Sequence, residues 1–162
     1  MSFSSAYQRA PIAFKLQLSR LDDDALDESS RVCRVHALLK ILHVEDDADI
    51  RGLVELAISF VDDMELIQVA DGLAGLSYLR DASPDVILLD DQMPKLSGRE
   101  VISALKISSR LRRIPVIFMT ANSGKEDEAA FMALGACGVI KKPFDPMTLP
   151  AFIRDFLKES ID

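Results

Sequence analysis

Four apolar residues, Val86-Ile87-Leu88-Leu89, run unbroken from a Pro84-Asp85 turn signal to the pair Asp90-Asp91, with Gln92-Met93-Pro94 after it. A strand with one wet face alternates apolar and polar residues. An unbroken run this short suits a strand buried on both faces, as in a parallel sheet covered by helices. Asp90 then falls at the carboxyl end of the strand, the edge where open α/β sheets gather their ligand chemistry. Taken alone, Asp90 also reads as a residue that ends a strand and caps the next segment. The positions of the other carboxylates and of one lysine decide between these readings.

The rest of the chain repeats this unit. Lys40 to Val44 reads as a strand, followed by Glu45-Asp46-Asp47 and a helix over residues 48–60 with Ile50, Leu53, Val54 and Ala57 at helical spacing. Met64 to Ala70 is a second strand, Asp71-Gly72 a turn, and Leu73, Leu76 and Leu79 mark a short helix. After the Asp90 strand, Ser97-Gly98-Arg99-Glu100 has the S-x-x-E form of a capping box and opens a third helix with Val101, Ile102 and Leu105 inward. Pro115 to Met119 is a fourth strand ending at Thr120-Ala121. Ser123 to Leu134 is a fourth helix closed by Gly135, and Gly138 to Lys141 is a fifth strand. Leu149, Phe152, Ile153, Phe156 and Leu157 share one face of a last helix. Pro150 is tolerated only in its first turn, which moves the expected start to Thr148. Five strands alternating with five helices predict a doubly wound parallel sheet of flavodoxin-like order.

Residues 1–38 read differently, as an amino-terminal extension that is partly disordered or lightly docked, with the folded domain over 39–162. Its five basic and five acidic side chains cancel, so the whole net charge of −7 belongs to residues 39–162. An acidic folded part argues against direct nucleic-acid binding, which needs a basic surface to neutralise phosphates. The cluster Arg110, Arg112 and Arg113 is expected to be a solvated loop. Cys33 and Cys137 are far apart and lack metal-ligand spacing, which fits reduced, inert thiols. No apolar window approaches the ~20 residues of a membrane helix, and no signal-peptide block follows the basic first twenty residues, so the expected compartment is the cytoplasm. His43 is expected to be a packed strand histidine; His36 has no visible partner. Met119 and Met132 are expected in the core, Phe144 under the last helix, and Lys125-Glu126-Asp127-Glu128 on a solvated helix face near its amino end, where acids are favourable.

The carboxyl ends of the strands, taken together, carry chemistry. Strand one delivers Glu45 and Asp46, strand three Asp90, strand four Thr120, and strand five Lys142 before Pro143. Three carboxylates at one sheet edge raise one another's pKa values unless positive charge sits among them. A hard divalent cation such as Mg²⁺ suits an all-oxygen ligand set, and a lysine and a hydroxyl complete the equipment for handling a phosphoryl group. The pieces Ile-Leu-His-Val-Glu-Asp-Asp, Asp-Val-Ile-Leu-Leu-Asp-Asp-Gln-Met-Pro, Ile-Phe-Met-Thr-Ala and Lys-Lys-Pro-Phe-Asp occur in this order. With them, residues 40–158 resemble a response-regulator receiver domain of bacterial two-component signalling.

That resemblance implies roles. Asp90 accepts phosphate from a histidine kinase or a histidine phosphotransfer protein. Glu45, Asp46 and Asp90 hold Mg²⁺ with the backbone carbonyl of Gln92. Thr120 bonds a phosphoryl oxygen, Lys142 pairs with the phosphate, and Pro143 follows a cis peptide bond. Asp47 is left to cap a helix, and the count back from Met93-Pro94 selects Asp90 over Asp91. Val139 departs from the family, which usually has Tyr or Phe there, so coupling is expected through the fourth helix and its loop, Asn122 to Asp127. The implied protein is a switch with no output domain, not an enzyme with a substrate of its own, acting on an unknown downstream protein target or passing phosphate along a relay. Whether it forms a homodimer is not legible. Three other classes compete. A pseudo-receiver would use the fold only to bind protein, and Val139 counts for it while the complete acid, Thr and Lys positions count against it. A haloacid-dehalogenase-like Mg²⁺ phosphohydrolase needs a general acid where this chain has Gln92, and a flavin protein needs a phosphate-cradling loop where it has Glu45-Asp46-Asp47.

Overall fold

The computed structural model describes residues 38–122 and 124–159, so the amino-terminal extension with Cys33 and His36, and Ser123, lie outside the described residues. The elements run β1 (Leu39–Val44), α1 (Ala48–Ser59), β2 (Met64–Val69), α2 (Gly72–Tyr78), β3 (Val86–Asp90), α3 (Gly98–Ile107), a 3-10 turn at Leu111–Arg113, β4 (Val116–Thr120), α4 (Lys125–Ala133), β5 (Gly138–Lys141) and α5 (Leu149–Glu159). The strands form one sheet in the order β2-β1-β3-β4-β5, and every pairing is parallel. The expected doubly wound flavodoxin-like architecture is the one observed.

The unbroken apolar run is explained by two cores, one on each face of the sheet. Leu42, Val44, Ile87, Leu89, Val116 and Phe118 pack against Leu79, Val101, Ile102, Leu105 and Phe131, which come from α2, α3 and α4. The alternate residues Ile41, Val86, Leu88, Ile117 and Met119 pack against Val54, Ala57, Ile58, Leu149 and Ile153, from α1 and α5. All five residues of β3 are buried, as a central strand with helices on both sides requires.

Caps fix where the helices begin. Asp47 Oδ1 accepts from the Asp49 and Ile50 amides at the start of α1. The Ser97–Glu100 capping box closes reciprocally at α3, and its hydrogen bonds hold the Glu100 carboxyl below the usual carboxylate range. α5 begins at Leu149, with the Thr148 carbonyl accepting from Phe152 N, which leaves Pro150 in the first turn. Gly135 ends α4 at φ +92°, a left-handed position that favours glycine.

Four apolar residues expected inward are exposed: Leu53, Leu73, Met132 and Phe152. For α2 the reason is tight packing. A Cβ on Gly72 would stand 2.7 Å from Val101 Cγ2 of α3, and one on Gly75 would stand 3.1 Å from Val44 Cγ2 of β1, so the glycines take the inward positions and Leu73 is left outward. Met132 follows Phe131, the residue that α4 buries, and so lies on the other side of a lightly anchored helix. Arg110 is more than a solvated loop residue. Its guanidinium donates to the carbonyls of Leu79, Arg80 and Ala82 and to Ser83 Oγ, capping the carboxyl end of α2.

Candidate functional site

Strand parity determines which side chains meet at the carboxyl edge. Glu45 continues the side of β1 that carries Ile41 and His43, Asp90 the side of β3 that carries Leu88, and Lys142 the side of β5 that carries Ile140. These positions share the α1/α5 face, and their side chains converge. Lys142 Nζ donates to Glu45 Oε2 at 2.5 Å and to Asp90 Oδ1 at 2.7 Å. Glu45 and Asp90 are buried, while Asp46 is exposed at the rim. One carboxylate oxygen from each of Glu45, Asp46 and Asp90 lies within 4.8 Å of the others.

Asp91 has the opposite parity and a different partner. Arg99 Nε, from the first turn of α3, donates to Asp91 Oδ1 at 3.2 Å, and the Arg99 guanidinium stands 4.7 Å from the centroid of the Phe131 ring. Adjacent aspartates thus serve opposite faces, and Asp90 is the one inside the acidic pocket. The backbone makes room for it: Gly98 sits so close that a Cβ there would lie 2.2 Å from the Asp90 carbonyl oxygen.

Thr120 ends β4 and is buried. Its Oγ1 accepts from Asn122 N at 3.1 Å, and its carbonyl accepts from Lys142 N at 2.8 Å, which ties the hydroxyl and the lysine to one strand end. The Lys142–Pro143 bond is cis. Gln92 is an exposed loop residue two positions beyond Asp90, and Val139 is half-buried against the core of the α2–α4 face.

Burial pushes the Asp90 carboxyl above its ordinary range; the hydrogen bond and charge of Lys142 pull it back, and Asp46 and Asp91 add to the rise. Glu45 is raised in the same way, with the charge of Asp90 contributing. Burial works against the Lys142 ammonium too, but hydrogen bonds and charges from Asp90 and Glu45 outweigh it and hold the amine above its ordinary value. The lysine is therefore stabilised as a cation, while the carboxylates still carry an excess of negative charge in a buried place. Such a site fits a hard divalent cation: three carboxylates, no sulfur or imidazole among the clustered donors, and uncompensated charge.

One feature at the site, Arg51, has no counterpart in the reading of the sequence, whereas the burial of His43 is the expected one. Arg51, one turn into α1, donates from Nη1 to the carbonyls of both Glu45 and Asp46. His43 is fully buried beneath the site, its pKa lowered to about 3 by burial, then by the charges of Lys142 and Arg51. Arg51 was detectable only as a basic residue at i+4 from the cap Asp47, a spacing too common to single it out.

A doubly wound α/β domain with a lysine-bridged acidic pocket at the carboxyl edge of its sheet is the outcome of fold and site together. The model of the family described as "Response regulator receiver domain" matches residues 41–154, and the chain belongs to that family of two-component signalling proteins. It is 38% identical over 119 residues, 74% of this chain and 48% of the relative, to a probable transcriptional regulator, ycf27, of Porphyridium aerugineum. The chain spans about half the length of the curated relatives it matches. Among solved structures, the chemotaxis protein CheY4 of Vibrio cholerae superposes with a TM-score of 0.69 at 31% identity, covering 74% of this chain and 99% of that one. The phosphorylated cyanobacterial phytochrome response regulator RcpA gives 0.66 at 28% identity, covering 78% and 96%. The Mn²⁺-bound form of the response regulator Rcp1 gives 0.59 at 31% identity, covering 75% and 88%.

Proposed function

We propose that residues 39–162 are a phosphorylation-controlled signalling switch in which Asp90 is the phosphoacceptor. The observation that carries this reading is the Lys142 ammonium bridging Glu45 and Asp90 at 2.5 and 2.7 Å. It sets a fixed positive charge on the candidate nucleophile, in a pocket that excludes most solvent.

In the proposed reaction a carboxylate oxygen of Asp90 attacks the phosphorus of a phosphohistidine on a sensor kinase or a histidine phosphotransfer protein. The new O–P bond forms as the N–P bond breaks, and the electron pair leaves with the imidazole. Lys142 is already protonated and placed to pair with a phosphoryl oxygen. Thr120 offers a hydroxyl that is held only by accepting from Asn122 N and so retains its proton for donation. Glu45, Asp46, Asp90 and the backbone carbonyl of Gln92 would hold Mg²⁺, which supplies neutralisation of the charge on the phosphoryl oxygens. The Mn²⁺-bound Rcp1 and the phosphorylated RcpA support both parts by likeness.

On this reading the segment turns over no substrate of its own, works in the cytoplasm, and passes its signal by protein contact or phosphorelay. No helix among the described residues is long and apolar enough to cross a membrane. The test is phosphorylation of the purified protein by acetyl phosphate, with and without Mg²⁺, read by intact mass. A Mg²⁺-dependent gain of one phosphoryl group that Asp90→Asn abolishes is expected. Absence of any gain in the folded protein would leave a protein-binding pseudo-receiver, the reading that Val139 favours.

A further inference from the structure

Arg51 is fixed at three points. Its amide donates to the Asp47 carbonyl at 3.0 Å inside the first turn of α1. Its own carbonyl accepts from Gln68 Nε2 at 2.9 Å, a bond from the edge strand β2. Its Nη1 reaches back across the turn to the carbonyls of Glu45 at 2.8 Å and Asp46 at 2.9 Å. Gln68 is held in turn: the same amide nitrogen donates to Nδ1 of the buried His43 at 3.1 Å. Because Gln68 is the donor, Nδ1 is the acceptor, and His43 is a neutral ring with its proton on Nε2. A chain of side chains therefore runs from β1 through β2 to α1 and ends on the two peptide units that carry the acids.

Those peptide units need holding. Glu45 and Asp46 are consecutive acids clustered with Asp90, and the repulsion among the three favours any loop movement that separates them. Asp47 is anchored as the cap of α1, and Glu45 N is bonded to the Val69 carbonyl. Asp46 is exposed, and the Arg51 bond to its carbonyl is the one that ties this residue's backbone to the helix.

We propose that Arg51 is a positioning residue for the divalent cation: it holds the β1–α1 turn so that Glu45 and Asp46 present their carboxylates together with Asp90. This rests on the function proposed above. The effect of removing Arg51 then has an unusual sign. Loss of a cationic side chain beside a cation site should, by Coulomb's law alone, tighten cation binding. Loss of positioning should weaken it, by about tenfold where an outer-shell partner of a metal ligand is removed.

The experiment is Mn²⁺ titration of the full chain, followed by the electron paramagnetic resonance signal of the free ion, for wild type, Arg51→Ala and Arg51→Lys. The expected result is weaker Mn²⁺ binding by about tenfold in Arg51→Ala, with partial recovery in Arg51→Lys. Lysine keeps the charge and a single donor nitrogen on a shorter side chain, so it also serves if the alanine variant fails to fold; then a weaker Mn²⁺ affinity in folded Arg51→Lys supports the proposal, and an unchanged one overturns it. Equal or tighter binding in Arg51→Ala overturns it too. Failure of the underlying function is separate: there, wild type itself takes up neither Mn²⁺ nor phosphate.

Discussion

Gly98 stands against the backbone of Asp90 so closely that a Cβ at residue 98 would lie 2.2 Å from the Asp90 carbonyl oxygen and 3.0 Å from Phe118 Cε1. The start of α3 is thereby pressed onto the strand end that carries Asp90, the proposed phosphoacceptor. Backbone cannot swing aside as a flexible side chain does, so Gly98→Ala must displace either α3 or Asp90. The expected loss is about 1–3 kcal/mol in urea denaturation, as for other overpacked sites, together with slower acetyl phosphate labelling. Gly52, in α1, is the contrast, because a Cβ there would meet nothing within 4 Å. Gly52→Ala is expected to stabilise the fold by about 0.5–1 kcal/mol through helix propensity.

The raised pKa of Asp90 sets a pH dependence. A carboxyl that binds its proton more tightly folded than unfolded weakens the fold above its folded pKa, and this penalty fades as pH falls through that value toward the unfolded one. Asp90→Asn removes the buried charge and keeps the shape, and it also relieves Glu45, which Asp90 raises. Lys142 keeps Glu45 as its partner. Thermal melts are therefore expected to show Asp90→Asn above wild type at pH 7.5, with the gap closing as pH falls toward about 4. A gap that widened on acidification would contradict the assignment of burial as the dominant cause.

Arg110 reaches from the loop before β4 to four acceptors at the end of α2. Arg110→Ala leaves the carbonyls of Leu79, Arg80 and Ala82 to water and releases α2 from that loop. The expected cost is about 1–2 kcal/mol in urea denaturation. Arg112→Ala, at an exposed neighbour whose side chain makes none of these bonds, should stay within about 0.5 kcal/mol of wild type. Equal effects at the two positions would show that the cap carries no weight.

How far the sequence was legible depends on what fixes each residue's role. Val86 to Leu89 announced a doubly covered strand because burial on two faces erases alternation, and strand parity with the count back from Met93-Pro94 separated Asp90 from Asp91. Helix faces were less legible. Leu73 and Leu76 looked inward by spacing, and Leu76 does pack against the core. Leu73 is exposed, because Gly72 and Gly75 hold the close approaches to α3 and to β1, a matter of distance between elements that hydrophobicity does not encode. Phe152 satisfied helical periodicity but is exposed, and Met132, expected in the core, lies in a helix that buries only Phe131. The roles of Arg51 and Arg99, and that of Arg110 beyond a solvated loop, were illegible for a common reason. Each acts by reaching backbone or side-chain acceptors on another segment, and a basic residue's reach is set by tertiary placement.

Helix α4 is the element expected to move when Asp90 is phosphorylated. Among its residues only Phe131 is buried, and its cap Gly124 offers no side-chain acceptor to the first turn. Asn122 N is bonded to the Thr120 hydroxyl, so a phosphoryl group that draws this hydroxyl toward Asp90 loosens the segment leading into α4. Phe131 also lies under Arg99, which is bonded to Asp91, and its ring centroid is 4.4 Å from that of Phe118. Val139, half-buried and short, offers no comparable lever. Hydrogen exchange with and without acetyl phosphate and Mg²⁺ is therefore expected to change most over residues 122–131 and least over β5. Val139→Tyr should leave that pattern in place, whereas Arg99→Ala should reduce the change in α4. A response concentrated at residues 138–141 in the wild-type protein would instead assign the switch to β5 and remove α4 from the route.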